Sequence, residues 1–149
     1  MKKVFIFILI IGCLCGCTIN KVEDKFVSTE VSGISMMIQD NSLTRESLKL
    51  VIKDMNGKGF YVYGKSFRID KKENDTWVEV EKLNNNCGFD LIAYYVNSDN
   101  LLEMEQNWEC MYGSLDDGEY RLVKDVVLES DIPMTEEDKK YISISFVID

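Results

Sequence analysis

The sequence predicts an all-β chain folded as an antiparallel sandwich of seven to eight strands. Hydrophobicity repeats with period two over most of residues 31–149. Polar turn clusters punctuate the chain at intervals suited to a sandwich. The long amphipathic helices that a βαβ architecture requires are missing from the pattern.

The strands follow in order. Ile34, Met36 and Ile38 recur at every second position and stop at Asp40-Asn41-Ser42. Leu48, Leu50 and Ile52 alternate with Lys49 and Lys53, and Asn56-Gly57 closes that segment with a turn signal. Tyr61 and Tyr63, then Phe67 and Ile69, lead into Glu73-Asn74-Asp75-Thr76, and Trp77, Val78 and Val80 follow, which predicts a hairpin. Residues 89–96 are apolar and aromatic and predict another strand, ending at Asn97-Ser98-Asp99-Asn100. Leu102, Met104 and Trp108 alternate with Glu103, Glu105 and Asn107, and residues 120–128 form a further strand. Ile142, Ile144, Phe146 and Ile148 mark the clearest half-buried strand, at the end of the chain. Helix signal is limited to residues 135–140, where Thr135 is placed to cap one turn.

The N-terminus is built differently. Lys2 and Lys3 precede an unbroken apolar run, Val4 to Ile11, the pattern of an export signal. The run to Cys17 is shorter than the ~20 residues a membrane-spanning helix needs. Leu14-Cys15-Gly16-Cys17 resembles a bacterial lipobox, which implies cleavage after Gly16 and a diacylglyceryl group on the Cys17 thiol. Ile10-Ile11-Gly12-Cys13 fits the same pattern and leaves Cys13 as an alternative. Each buried methylene of an acyl chain contributes about 0.8 kcal/mol, so two or more chains make attachment effectively permanent.

Removing residues 1–16 from 149 leaves 133, a length that suits one domain. The signal carries Lys2 and Lys3 and no acid, so the mature charge is 15 minus 26, or −11. That balance argues against nucleic acid, which needs clustered Lys and Arg, and against lying flat on anionic lipid. Of the five cysteines, Cys87 and Cys110 fall in the domain. In an exported domain they form one bridge or remain two thiols; sequence leaves both open.

The most specific piece of the domain is Leu115-Asp116-Asp117-Gly118-Glu119-Tyr120-Arg121. Gly118 permits a tight corner, and Tyr120 is placed to fold its hydroxyl back onto upstream backbone, as the corner tyrosine of an immunoglobulin-like sandwich does. With this corner, a Leu-Lys-Leu strand at 47–53, Tyr63-Gly64-Lys65-Ser66-Phe67, a Trp-x-x-Val strand from Trp77 to Val80 and a Trp-x-x-x-Tyr-Gly approach from Trp108 to Gly113, the chain resembles the bacterial immunoglobulin-like domains of Gram-positive envelope lipoproteins. The resemblance implies residues 1–16 as signal peptide, 17–30 as lipidated cysteine and tether, and 31–149 as the Ig-like domain. It supplies a fold and an extracytoplasmic, membrane-anchored location, not a reaction. Cys87 and Cys110 do not frame a tryptophan as an antibody bridge does, so Trp77 and Trp108 are expected to be core or corner residues.

Catalytic constellations are absent from the pattern. The chain has no histidine, which removes Ser-His-Asp and Cys-His arrangements and the usual zinc sites. Neither a phosphate-binding loop nor a calcium loop of EF type is present, and the carboxylate pairs sit in separate turns and strands. The expectation is a non-catalytic module that uses no cofactor or metal and binds an envelope or extracellular protein or glycan. The segment 129–140, with Ile132, Pro133 and Met134 among charges, is the candidate recognition loop. Inhibition of an exported protease through that loop and a structural accessory role are the rival expectations.

Overall fold

A computed structural model describes residues 31–133 and 135–149. The predicted signal, Cys13, Cys17, the tether through residue 30 and Met134 lie outside the described residues.

Among the described residues, eight strands make two antiparallel sheets. The first sheet has the order β1 (Ile34–Ile38), β2 (Ser47–Asp54), β6 (Leu101–Asn107). The second is organised on β7 (Gly118–Leu128), the longest strand. β3 (Tyr61–Tyr63) and β4 (Arg68–Glu73) lie along one edge of β7, β5 (Thr76–Glu79) pairs outside β4, and β8 (Lys140–Ile148) takes the other edge. The predicted β4–β5 hairpin forms with Asn74 (φ 47°) and Asp75 (φ 62°) both left-handed, the conformation that matches strand twist in a two-residue loop. One helical turn, α1 (Glu109–Tyr112), follows β6.

Period-two patterning decides the core. Leu48, Leu50 and Ile52 of β2 face Leu122, Val126, Ile142 and Phe146 of the second sheet, and all are buried. Each such side chain contributes roughly 1.5–3 kcal/mol by leaving water. Trp108 is wholly buried, stacks on Phe146 at 5.7 Å and donates its Nε1–H to the Arg45 carbonyl at 2.7 Å. Trp77 departs from the core-or-corner expectation. It stands half-buried on the outer face of the second sheet, 5.0 Å from the Arg121 guanidinium, because its parity on β5 points away from the core.

Residues 89–96 also depart from expectation: they form no strand. Only Tyr94 pairs, with Tyr63, through N–H···O bonds of 3.0 and 2.8 Å. β3 is three residues long and offers no further ladder. Leu91 and Ile92 therefore stand out in solvent, and residues 80–100 form the longest connection between the described strands.

Between β3 and β4 the chain bulges over residues 64–67. The two strands pair with residues 126–128 and 120–123 of β7, so Lys124 and Asp125 lie opposite the bulge. The bulge leaves backbone carbonyls without a strand partner, and the wholly buried ammonium of Lys124 donates to Gly64 O at 2.8 Å and Ser66 O at 2.9 Å. Burial lowers its pKa from 10.5 to about 8.

Candidate functional site

Outside this bulge, on the outer face of the second sheet, lies an open cavity of about 490 Å³. Val62 and Val127, directly opposite each other in the β3–β7 ladder, line its floor, and both point outward by strand parity. Leu91 and Ile92 form one wall, and Ile132 of the 129–140 segment forms another. Leu91 is fully exposed, and Ile92 and Ile132 are 56% and 51% exposed, so three aliphatic side chains stand in water around one hollow. Clustered apolar exposure of this kind marks a recognition surface more often than scattered single residues do.

Two carboxylates line the same hollow. Asp90 pairs with Lys65 at 3.2 Å and accepts from the Tyr94 hydroxyl at 3.3 Å. Asp125, next to Lys124 but on the opposite face of β7, accepts a hydrogen bond from the Ser66 hydroxyl at 2.6 Å. Among the described residues Asp125 makes no direct ion pair, but its charge reaches nearby Lys139, whose pKa is raised by its hydrogen bond to Glu136 at 2.7 Å and then by Asp125.

The wall carrying Leu91 and Ile92 is held by side chains and isolated backbone bonds and not by a ladder. Cys87 and Cys110 are joined in a disulfide, with Cα atoms 6.0 Å apart, that ties the segment to α1. Phe89 packs on Phe67 at 5.0 Å, and Leu83 N–H donates to Met111 O at 2.8 Å. Behind the wall, a second cavity of about 380 Å³ lies between residues 87–90 and β6, which pairs only with β2 among the described strands. Gln106 lines it and is buried, and its Nε2 has no hydrogen-bond partner among the described residues.

The other sequence-predicted residues lie elsewhere. Tyr120 is buried in the corner after α1, where its hydroxyl donates to Asp116 O at 3.0 Å and its ring stacks on Phe146 at 5.8 Å. A Cβ at Gly118 would meet Lys71 Cε at 2.9 Å and the Tyr120 ring at 3.3 Å, so a larger residue there must displace the end of the Lys71 side chain. Pro133 follows a cis peptide bond and, unlike Ile132, does not line the cavity. The 129–140 segment folds into two 3-10 turns, Glu129–Asp131 and Glu136–Asp138, with extended backbone at Ile132 and Thr135 between them. At the second, the backbone N–H and hydroxyl of Thr135 donate to Asp138 at 2.6 and 2.8 Å, and these bonds lower the Asp138 pKa.

Sequence reasoning missed Asp54, Lys124 and Asp125. Asp54 is wholly buried and accepts the Tyr63 hydroxyl at 2.8 Å across the sandwich; burial, and after it this bond, push the phenol pKa up. Leu91-Ile92 did carry a signal, since two adjacent aliphatics break strand alternation. Among the described residues no group of three or more His, Cys, Asp or Glu could hold a metal ion, and no helix is long and apolar enough to cross a membrane.

A family model described as a bacterial Ig-like domain matches residues 30–141. No curated protein and no solved structure matches the chain.

Proposed function

Because the chain belongs to the bacterial Ig-like domain family, we propose that it is a non-catalytic interaction module, held outside the cytoplasm by lipid on Cys17, that binds another envelope or extracellular protein. Domains of this family are generally binding or structural modules and are typically extracellular or surface-exposed. The observation that carries the reading is the outer-face cavity, where Leu91, Ile92 and Ile132 surround the Val62–Val127 floor. A sandwich of this size has ample core to bury aliphatic residues, so three of them gathered in water around a cavity are better explained by a partner than by folding. The lipobox-like Leu14-Cys15-Gly16-Cys17 supports the anchor, and a Gram-positive envelope suits it.

Two measurements test the proposal. Cys17→Ser is expected to move the protein from the membrane fraction to the soluble extracytoplasmic fraction, and unchanged retention refutes the lipid anchor. Crosslinking on intact cells is expected to join a partner to the wild-type chain and not to a Leu91→Asp/Ile132→Asp variant. An identical crosslinked pattern from both refutes the cavity as the contact. For the protease-inhibitor alternative, the candidate loop offers extended backbone at Ile132 and Thr135, bounded on each side by a 3-10 turn.

A further inference from the structure

We infer that the outer-face cavity receives the side chain of a lysine or arginine from the partner protein. This inference rests on the reading of the cavity as the binding surface and adds what the cavity selects. A hydrophobic pocket alone would accept any aliphatic group. This one joins the aliphatic walls of Ile92 and Ile132 and the Val62–Val127 floor to a carboxylate, Asp125, on the same strand as the floor.

Asp125 is the anomaly that gives the cavity its sign. The other buried or half-buried carboxylates of this sheet each have a direct salt link: Asp70 holds Arg68 and Arg121, and Glu119 holds Lys72. Asp125 has the Ser66 hydroxyl and no direct ion pair among the described residues; Lys139, bound to Glu136, feels its charge without contacting it. One of its two carboxylate oxygens is engaged by that bond, which leaves the other for a donor from outside. Lysine and arginine carry an apolar stem that packs on aliphatic surface and a charged head that stays polar. The cavity presents those two chemistries side by side. The chain as a whole carries 26 acidic against 17 basic residues, so long-range attraction favours the same sign of partner.

The test uses blocked tripeptides with a single variable side chain, titrated into the lipid-free Cys17→Ser protein and followed by NMR shifts of the Val62, Val127 and Ala93 resonances. Acetyl-Ala-Lys-Ala-amide is expected to bind about tenfold more tightly than its norleucine counterpart, the gain of one charge-assisted contact, and the glutamate counterpart is expected not to bind. Asp125→Asn is expected to remove the lysine advantage and leave norleucine unchanged. Equal binding of lysine and norleucine to the wild-type protein overturns the inference while leaving the cavity as an apolar contact surface. No shift from either peptide overturns both. Tighter binding of free pentylamine than of the lysine peptide overturns the assignment to a protein partner. The comparison of peptides on the wild-type protein stands even if Asp125→Asn fails to fold.

Discussion

Lys124 makes the stability of this domain depend on pH in a direction opposite to that of most lysines. Its ammonium is wholly buried and its pKa falls from 10.5 to about 8 because burial penalises the charged form. The folded state therefore resists a proton that the unfolded chain holds readily. Below pH 8 the penalty is complete, about 3 kcal/mol from the gap between the two pKa values. As pH rises above 8 the folded protein releases the proton first, the unfolded chain binds more protons than the folded one, and stability rises until about pH 10.5. Between pH 7 and 9.5 the gain is about 2 kcal/mol. The assay is urea unfolding followed by Trp108 fluorescence, on the wild-type chain and on Lys124→Met, at half-unit steps of pH. Lys124→Met leaves the Gly64 and Ser66 carbonyls unpaired, which shifts its stability by an amount that does not vary with pH. The difference between the two proteins isolates Lys124 from every other titrating group, including Tyr63, whose raised pKa lowers stability in strong alkali. A difference that stays constant from pH 7 to 9.5, or that shrinks in favour of the variant, refutes the account of a charged, desolvated lysine.

Three further outcomes follow from the geometry. Replacing Cys87 and Cys110 by alanine is expected to cost about 3 kcal/mol, the chain-entropy value for a loop closed across 23 positions; hydrogen exchange should speed up in residues 83–94 while β2 and β7 stay protected. Trp108→Ala is expected to cost roughly 3–5 kcal/mol, because it empties the space beside Phe146 and removes one of the two donors to the Arg45 carbonyl, leaving the Leu115 N–H, and thermal unfolding measures this. Tyr120→Phe removes the 3.0 Å bond to Asp116 O while keeping the stack on Phe146, so the same measurement should show a loss of about 1 kcal/mol.

Most strands were legible because each alternates. β2 and β8 in particular have one buried face and one polar face, and Leu48, Leu50, Ile52, Ile142 and Phe146 all fall inside where period two puts them. The failures have one cause. Residues 89–96 have the composition of a strand, yet strand formation needs a neighbour with free backbone groups, and β3 ends after three residues. Lys124 lies at an inward position of β7 where the pattern calls for an aliphatic residue. Its presence becomes intelligible only beside the bulge at 64–67, whose carbonyls it satisfies. The cavity was half visible: Ile132 was singled out as an exposed loop aliphatic, but its companions Leu91 and Ile92 lie some forty positions away in sequence.

By itself the sequence determined the class of fold and the faces of its strands, since side-chain alternation is a local property fixed by backbone geometry. It also carried the export-signal pattern that precedes the domain, as a contiguous run of residue types. Tertiary structure alone decided which strands are neighbours, that Cys87 lies within reach of Cys110, and that Val62, Leu91, Asp125 and Ile132 enclose one space. Those are distances between residues remote in the chain, and such distances are set by how sheets pack and where a strand breaks, not by any pattern along the backbone.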